Sequence, residues 1–396
     1  MLDAEVQAVL DQFDLTVPDV GDLLDTYRSL ISIEVAAIID QRDRGDVVIP
    51  VVPFDDVVSG TLDDELRATI RQRGCVIVRG TFERGLAEDW DHQLGEYLDT
   101  NQFWDRYAER DPVGASTGSR IAGVYWSRPQ IEARQHDNMA TVRQFLNGFW
   151  MHESEGRTWF DPDSDIGYPD RIRRREPGAS SKGLNPHTDS ASAAGWCLPE
   201  NLLVNRHVFA GDVVGYDPYD AAYRTDPLGP IRLPSDVFRT FQGWTALSEM
   251  RPTDGVLHTI PIPVAASYLV LKGLAADCGL LPEEPESPRR IKADDLLVSA
   301  LSPISAVYPG DTVWWHGDVI HSVGAAANET RWGNVMYIAA TPSCPRNDEY
   351  ATGMLDLFNS GESPKDFPNE GFEMQFTDRS TIADLNSRGR RMFALP

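Results

Sequence analysis

The sequence predicts a mainly β domain with helical additions, in which the strands form a sandwich or barrel. Apolar residues recur at helical spacing in the first 73 residues, which indicates helices at the N-terminus. From residue 168 onward, short apolar runs alternate with Gly, Pro and Asp turns, which is typical of packed sheets rather than of βαβ units. We expect an N-terminal helical region at 1–73, a core domain at 74–345 with an insertion around 211–300, and a C-terminal extension at 346–396.

The predicted elements begin with a long helix within residues 19–44, one face of which is apolar. A second helix opens at Thr61 and Asp64 in the manner of a weak capping box, and Gly74 ends it. The run from Cys75 to Val78 is short and apolar, and it is predicted to be a buried strand. Further helices are expected at 86–98, 132–150 and 350–358, and further strands at 202–204, 256–260, 306–308, 312–315 and 335–339.

The net charge is strongly negative. Lys and Arg number 36 and Asp and Glu number 61, which gives a formal net charge of −25. Such a field repels phosphate backbones and anionic lipids, so we expect neither a nucleic-acid nor a membrane partner. A small-molecule substrate fits this composition better, and an anionic ligand requires a local cation.

The location predicted from the sequence is cytoplasmic. The N-terminal residues are acidic, where a signal peptide has a basic end followed by an apolar stretch. No apolar run approaches the roughly 18 residues that a membrane span needs. The four cysteines lie far apart without a CxxC motif, which argues against a disulfide framework or a zinc knuckle.

Two of the eight histidines begin the pattern His-x-Asp, namely His187 with Asp189 and His316 with Asp318. Residues two apart on an extended strand project to the same face, so the imidazole and the carboxylate can share one metal ion. A further histidine from a distant strand completes the two-His-one-carboxylate triad typical of non-haem Fe(II) oxygenases. The motif alone is weak, because one chance occurrence among eight histidines is nearly expected.

The position of the later histidines favours the first pair. After Asp318 only His321 follows, which is too close for a ligand arriving from another strand. The first pair has four later histidines available: His207, His258, His316 and His321. We choose His321, because it lies in a segment that is predicted to end one strand of a hairpin.

The other strand of that predicted hairpin begins near Arg331. Its planar guanidinium would then lie beside the metal and could bind a carboxylate through two hydrogen bonds. Other interpretations stay open at this point. Arg331 could pair with Glu329 or another acid, and His316 and His321 could be ordinary core histidines beside neighbouring tryptophans.

Four longer segments resemble a known family. The segments at 124–135, 168–190, 238–248 and 310–323 are similar to the YbiU-like family of domains of unknown function, which is related to phytanoyl-CoA hydroxylase-like enzymes. That group belongs to the non-haem Fe(II)/2-oxoglutarate-dependent dioxygenases. The resemblance implies a core in the form of a double-stranded β-helix, a jelly roll of the cupin type.

The resemblance also implies roles for individual residues. His187, Asp189 and His321 would bind Fe(II), and Arg331 would bind the distal carboxylate of 2-oxoglutarate. The cosubstrates would be 2-oxoglutarate and O2, and His316 matches a position that is not a ligand. The implied reaction couples oxidative decarboxylation of 2-oxoglutarate to C–H oxidation, with hydroxylation favoured over cyclisation or desaturation. The expected substrate is a small molecule such as an amino acid or a related metabolite.

Four residues are weaker candidates for contacting that substrate: Gln242, Trp244, Arg128 and Arg206. Each also has a purely structural interpretation, because tryptophans are usually core residues and arginines in loops usually pair with acids. The basic cluster Arg171, Arg173, Arg174 and Arg175 could attract an anionic group of the substrate, or it could attach the acidic N-terminal helices to the core.

Two other classes of protein compete with the oxygenase. One is a cupin-like metal-binding or sensor protein without turnover. The other is a zinc hydrolase that uses the same three ligands, which is disfavoured because the triad lacks a clear general base and Arg331 would have no role.

Overall fold

The computed structural model describes residues 3–112, 120–189, 196–227, 236–281, 295–327 and 330–395. The α-helices in this part of the chain are α1 (Ala4–Gln12), α2 (Val17–Asp43), α3 (Phe54–Ser59), α4 (Asp64–Arg73), α5 (Arg84–Thr100), α6 (Phe103–Arg110), α7 (Arg128–Gln135), α8 (Asp137–Asn147), α9 (Pro199–Val204), α10 (Arg206–Phe209), α11 (Ala265–Asp277), α12 (Asp295–Ser299), α13 (Pro345–Ala351), α14 (Met354–Ser360) and α15 (Ser387–Met392).

The strands of the same residues are β1 (Val51–Pro53), β2 (Cys75–Arg79), β3 (Ile121–Ala122), β4 (Glu153–Ser154), β5 (Arg157–Thr158), β6 (Asp161–Asp165), β7 (Ile172–Arg175), β8 (Ser180–Ser181), β9 (Leu184–His187), β10 (Phe241–Ala246), β11 (Leu257–Ile260), β12 (Ser302–Pro303), β13 (Thr312–His316), β14 (Ile320–Val323), β15 (Ala326–Ala327), β16 (Gly333–Ala340) and β17 (Pro342–Ser343). No helix within the described ranges is long and apolar enough to cross a membrane.

Two sheets form the centre of the molecule. The large sheet has the strand order β1-β2-β13-β10-β16-β7-β3, and the small sheet has the order β12-β11-β14-β9. All pairs in these sheets are antiparallel except β1 with β2. The large sheet is therefore mixed, with a short parallel edge.

The alternation of side chains along β10 decides which residues face the small sheet. Trp244 and Ala246 belong to an apolar cluster that also contains Trp315 of β13 and Leu257 of β11, so this face meets the small sheet. Phe241, on the opposite face, packs in a second cluster with residues of α5 and α8. The inner cluster therefore fills the space between the two sheets.

Helices cover the outer face of the small sheet. Ile260 and Ile320 share a cluster with Tyr27 of α2 and Leu271 of α11. Helix α2 begins with a capping box in which Thr16 and Asp19 satisfy each other's backbone N–H groups, which fixes its first turn. The helix predicted within residues 19–44 is therefore observed, and its buried face anchors the N-terminal helices to the core.

Two turns show how the sequence begins and ends the next helix. The N-cap of α4 is Asp63, whose carboxylate accepts a hydrogen bond from the Leu66 N–H, rather than Thr61 as expected. The helix ends, as predicted, at Gly74, which has a φ of +62°. A Cβ atom there would lie 2.4 Å from Cγ of Pro263, so both the conformation and the space require glycine.

The expected β content was too high. Of the residues that the structure describes, 43% are helical and 19% are in strands, so the sheets form the centre while helices contribute more residues. Residues 202–204 lie in α9 rather than in a strand, because Pro199 occupies the first turn of a helix that buries Leu202. Residues 306–308 contribute only an isolated bridge between Met250 and Val307.

Other elements differ in their boundaries. The helix predicted at 132–150 is divided into α7 and α8 at His136, and the one at 350–358 is divided between α13 and α14. The region expected as an insertion around 211–300 contains β10 and β11, which lie inside the two sheets. Two parts of this region, residues 228–235 and 282–294, lie outside the described residues.

The C-terminal extension is attached to the core by a buried carboxylate. Glu373 is 2% exposed and accepts hydrogen bonds from the Tyr97 hydroxyl and from the backbone N–H groups of Tyr125 and Trp126. Burial raises the pKa of Glu373 to about 7, although these donors act in the opposite direction. A second buried carboxylate, Asp366, accepts hydrogen bonds from the hydroxyls of Tyr168 and Tyr350.

Glu373 makes stability depend on pH. Folding raises its pKa from 4.5 to about 7, so the folded protein binds the proton more tightly than the unfolded chain between these values. The free energy of unfolding should therefore fall as the pH rises through this window, by on the order of 3 kcal/mol from this group. We expect denaturation curves at pH 5 and pH 8 to show that the advantage of the wild type over Glu373→Gln shrinks at the higher pH. An advantage that is equal at the two pH values contradicts this assignment.

Candidate metal centre

His187, Asp189 and His321 come together although the two outer positions are 134 residues apart in the sequence (321 − 187 = 134). His187 is the last residue of β9, and its backbone lies directly opposite His321 of β14. The potential ligand atoms of the three side chains all lie within 4.8 Å of one another. The antiparallel pairing of β9 and β14 is thus what brings the two imidazoles together.

The carboxylate of Asp189 lies between the two imidazoles. One oxygen is 3.5 Å from Nε2 of His187, and the other is 3.5 Å from Nε2 of His321. The two rings are 4.3 Å apart between centroids, and His321 also contacts the indole of Trp315 at 5.1 Å. Two nitrogens and one carboxylate therefore converge on one point, which is the donor set of a facial triad.

Backbone carbonyls orient both rings. Nδ1 of His187 lies 2.8 Å from the carbonyl oxygen of Asn185, and Nδ1 of His321 lies 3.1 Å from that of Val319. A carbonyl can only accept, so each Nδ1 must carry the proton, and each Nε2 then offers its lone pair to the cluster. This arrangement fits a metal ion without any change of tautomer.

The charges of the cluster favour the form that binds a metal. Desolvation would raise the pKa of Asp189, but the adjacent His321 and the more distant cation Arg239 lower it well below its usual range. Burial and the neighbouring His321 both lower the pKa of His187. Ionised aspartate and neutral imidazole are the forms that ligate metals.

The second His-x-Asp pair has a structural role. His316 is fully buried, and its ring stacks on that of Trp150 with 4.7 Å between the centroids. Its Nε2 donates a hydrogen bond to the carbonyl of Pro218, and its Nδ1 accepts one from the N–H of Asp318. Burial lowers the pKa of His316 to about 4, so the ring stays neutral. Asp318 pairs with Arg224. Every polar atom of the His316 ring is thereby used, which agrees with the non-ligand position that the resemblance implies.

Arg331 lies two residues before the first residue of β16, close to the predicted strand opening. Its Nε and Nη2 both donate to the carboxylate of buried Asp254, at 3.0 Å each. Burial alone would raise the pKa of Asp254, but the hydrogen bonds from Arg331 and from the Arg251 N–H lower it. The guanidinium plane is therefore fixed by Asp254; the pairing with Glu329 considered above concerns a residue outside the described ranges.

The weaker candidates lie in different surroundings. Gln242 and Trp244 are buried on the inner face of the large sheet. Arg128 is exposed in the first turn of α7. Arg206 pairs with Glu155 and Asp220, which is the structural interpretation given to it above.

The basic cluster of β7 is occupied by protein partners. Arg171 pairs with Asp170, Arg173 donates to the carbonyl of Gly333, Arg174 pairs with Asp91 of α5, and Arg175 donates to the carbonyl of Asp254. The acid that Arg174 binds belongs to the core helices rather than to the first 73 residues. These arginines attach the edge of the large sheet to its neighbours.

Sequence reasoning missed two residues close to the cluster. Trp315 of β13 touches His321, and Arg239 lies just before β10 and acts electrostatically on Asp189. The strand pattern around WWH marked Trp315 only as a core residue. Arg239 lies inside a segment that carried the family resemblance. Its effect on Asp189 depends on where the fold places its side chain, which the sequence does not reveal.

The described residues form two packed sheets that helices cover, and they contain a cluster of two histidines and one aspartate. These features define the class of the protein, which is a helix-covered two-sheet protein with a candidate mononuclear metal site.

A family model described as Gig2-like matches residues 7–395. The chain therefore belongs to the Gig2-like family. YbiU of Escherichia coli strain K12, described as uncharacterized, is 42% identical over 391 residues, which cover 95% of this chain and 93% of YbiU. The predicted likeness to YbiU is confirmed.

Solved structures share the fold over nearly the whole chain. The hypothetical protein JW0805 from Escherichia coli has a TM-score of 0.87 and 40% identity, covering 99% of this chain and 96% of its own. A protein from Salmonella typhimurium LT2, provisionally described as an oxidoreductase, has a TM-score of 0.86 and 40% identity over the same shares. GlcNAc Inducible Gene 2 (DUF1479) from Candida albicans has a TM-score of 0.79 and 24% identity, covering 100% of this chain and 90% of its own, and this likeness concerns the fold.

The geometry predicts which residues retain a metal ion. His187→Ala or Asp189→Ala leaves two ligands, and we expect anaerobic equilibrium dialysis to show that Fe(II) binding falls from one ion per chain to none measurable. His92→Ala is the matched control, because His92 is an exposed histidine on α5 outside the cluster. Equal Fe(II) retention by the cluster variants and the control contradicts this metal site.

Proposed function

We propose that this protein is an Fe(II)/2-oxoglutarate-dependent oxygenase that oxidises a C–H bond of a small molecule. The observation that carries the proposal is the convergence of the Nε2 atoms of His187 and His321 on the carboxylate of Asp189. Three ligands on one side of a metal leave positions open for a cosubstrate and O2. The oxidoreductase description of the Salmonella relative agrees with this class of reaction.

The order of the strands supports a double-stranded β-helix as the core. Along the chain, β7, β10, β13 and β16 enter the large sheet, while β9, β11, β12 and β14 enter the small sheet. Eight antiparallel strands that divide between two packed sheets in this way are typical of jelly rolls and cupins. The candidate ligands come from β9, from the residues that follow it, and from β14, so the site belongs to the small sheet.

Arg331 is the proposed anchor for the distal carboxylate of 2-oxoglutarate. Asp254 fixes the plane of its guanidinium, which prepares a two-pronged cation for a ligand without further loss of side-chain freedom. A carboxylate arriving there would have to share Arg331 with Asp254 or replace it. The strongly acidic chain makes such a fixed cation necessary for a dianionic cosubstrate.

The protein's own contribution would be orientation and exclusion of water. When bound, iron with 2-oxoglutarate and O2 supplies the oxidising power, and the protein supplies binding and geometry. The backbone carbonyls of Asn185 and Val319 hold the ligand rings in position. The inner apolar cluster, with Trp315 against His321, limits water on one side of the centre.

Turnover is tested most simply through 2-oxoglutarate itself. We expect succinate to form from 2-oxoglutarate when Fe(II) and O2 are present together with members of a metabolite panel, and we expect the His187→Ala variant to form none. Anaerobic addition of 2-oxoglutarate to the Fe(II) protein should also produce a weak visible absorption band. Iron binding with neither the band nor succinate would support the alternative of a non-catalytic metal-binding or sensor protein.

The role of Arg331 is tested by a conservative change. Arg331→Lys replaces a planar fork by a point charge, so the Kd for 2-oxoglutarate should rise by about 10-fold to 100-fold, as expected for a lost charged hydrogen bond. Arg251→Lys is the control, because Arg251 is an exposed neighbour whose side chain pairs with Glu249. Unchanged affinity in Arg331→Lys moves the carboxylate site to another cation.

A further inference from the structure

A second cation, Arg239, acts through its charge on Asp189 of the candidate metal centre. The half-buried Arg239 lies just before β10. Its backbone carbonyl packs against Gly317, because a Cβ atom added to Gly317 would lie 3.7 Å from this oxygen. Gly317 belongs to the turn that leads from β13 to His321 of β14. The backbone of Arg239 therefore lies beside the turn that precedes His321.

The guanidinium of Arg239 donates no hydrogen bond to a carboxylate among the described residues, and the acid on which its charge acts is Asp189 of the candidate metal centre. It lies over the ring of Tyr168, with its central carbon 5.9 Å from the ring centroid. Other half-buried arginines, such as Arg206, pair with one or two acids, and an acidic chain provides many. A guanidinium that lies near a candidate metal centre and is not hydrogen-bonded to an acid is suited to an anionic ligand.

Arg239 and Arg331 lie at opposite ends of the large sheet. Thr240 donates its N–H to the carbonyl of Ala340, the last residue of β16, whereas Arg331 precedes the first residue of that strand. Strand β16 has 8 residues and so spans about 23 Å. The two arginines therefore enter from opposite ends of this strand, and we assign them to different carboxylates.

A buried amide, Gln242, lies three residues after Arg239 in the sequence, on the inner face of the large sheet. Gln242 is 4% exposed, and neither its Oε1 nor its Nε2 has a hydrogen-bond partner among the described residues. In the sheet it lies opposite Trp315, whose Nε1 is also unpartnered and whose ring contacts His321. Buried polar groups are normally satisfied, so these groups indicate a place for a polar ligand.

We propose that Arg239 and Gln242 form the subsite for the oxidised substrate, which would be a small molecule that carries a carboxylate. Arg239 would bind the carboxylate, and Gln242 would bind a second polar group closer to the metal centre. Tyr168, which stacks on Arg239 and donates to Asp366, would position the guanidinium and connect this subsite to the C-terminal extension. This inference rests on the proposed function for the identity of the reaction, but the anion subsite can be tested separately.

The first test measures anion binding in the unaltered protein. Phenylglyoxal modifies accessible unpaired arginines, and peptide mass mapping gives the rate at each position. We expect Arg239 to react several-fold faster than Arg206, and we expect acetate, but not the neutral acetamide, to slow its modification in the anaerobic Fe(II) protein saturated with 2-oxoglutarate. Equal rates at Arg239 and Arg206, or equal effects of acetate and acetamide, overturn the subsite.

The second test separates the substrate from the cosubstrate. Anaerobic titration of 2-oxoglutarate should give the wild-type Kd in Arg239→Gln, in Arg239→Lys and in Gln242→Leu, but a raised Kd in Arg331→Gln. A raised Kd for 2-oxoglutarate in the Arg239 variants would assign this cation to the cosubstrate and overturn the proposal. If the wild type binds no 2-oxoglutarate, the proposed function fails, while protection of Arg239 by acetate without 2-oxoglutarate still decides whether the anion subsite exists.

Discussion

The pairing of β9 with β14 is the constraint on which the candidate site depends. It places His187 opposite His321, and the residues just after β9 bring Asp189 between them. The small sheet supplies this pairing, and α2 and α11 cover its outer face. A one-residue shift in register would turn one imidazole to the other face of the sheet, so the strand register and the donor set are a single structural feature.

The distribution of charge explains how an acidic chain can have sites for anions. Most of its arginines near the core are held by acids or carbonyls, as for Arg174 with Asp91 and Arg224 with Asp318. Arg331 is held in a fork by Asp254, and Arg239 rests on an aromatic ring instead. The aromatic contact supports the cation without neutralising it, which is why the two arginines have different proposed ligands.

The sequence predicted the candidate site better than the full architecture. The i, i+2 spacing selected His187 and Asp189, and His321 was chosen among four later histidines because it lies at the end of a predicted strand. The three apolar residues at 202–204 were too few to distinguish a strand from a helix, so α9 was missed. The fork between Arg331 and Asp254 and the unpaired state of Arg239 depend on contacts between distant segments, which local patterns do not specify.

The central claim is that two imidazoles and one carboxylate bind a single ferrous ion. The most direct measurement is a crystal structure of anaerobically Fe(II)-loaded protein with anomalous diffraction recorded at the iron edge. The account predicts one anomalous peak in contact with Nε2 of His187, Nε2 of His321 and the carboxylate of Asp189. A peak at other residues, or no peak in this cluster at full iron loading, would contradict it.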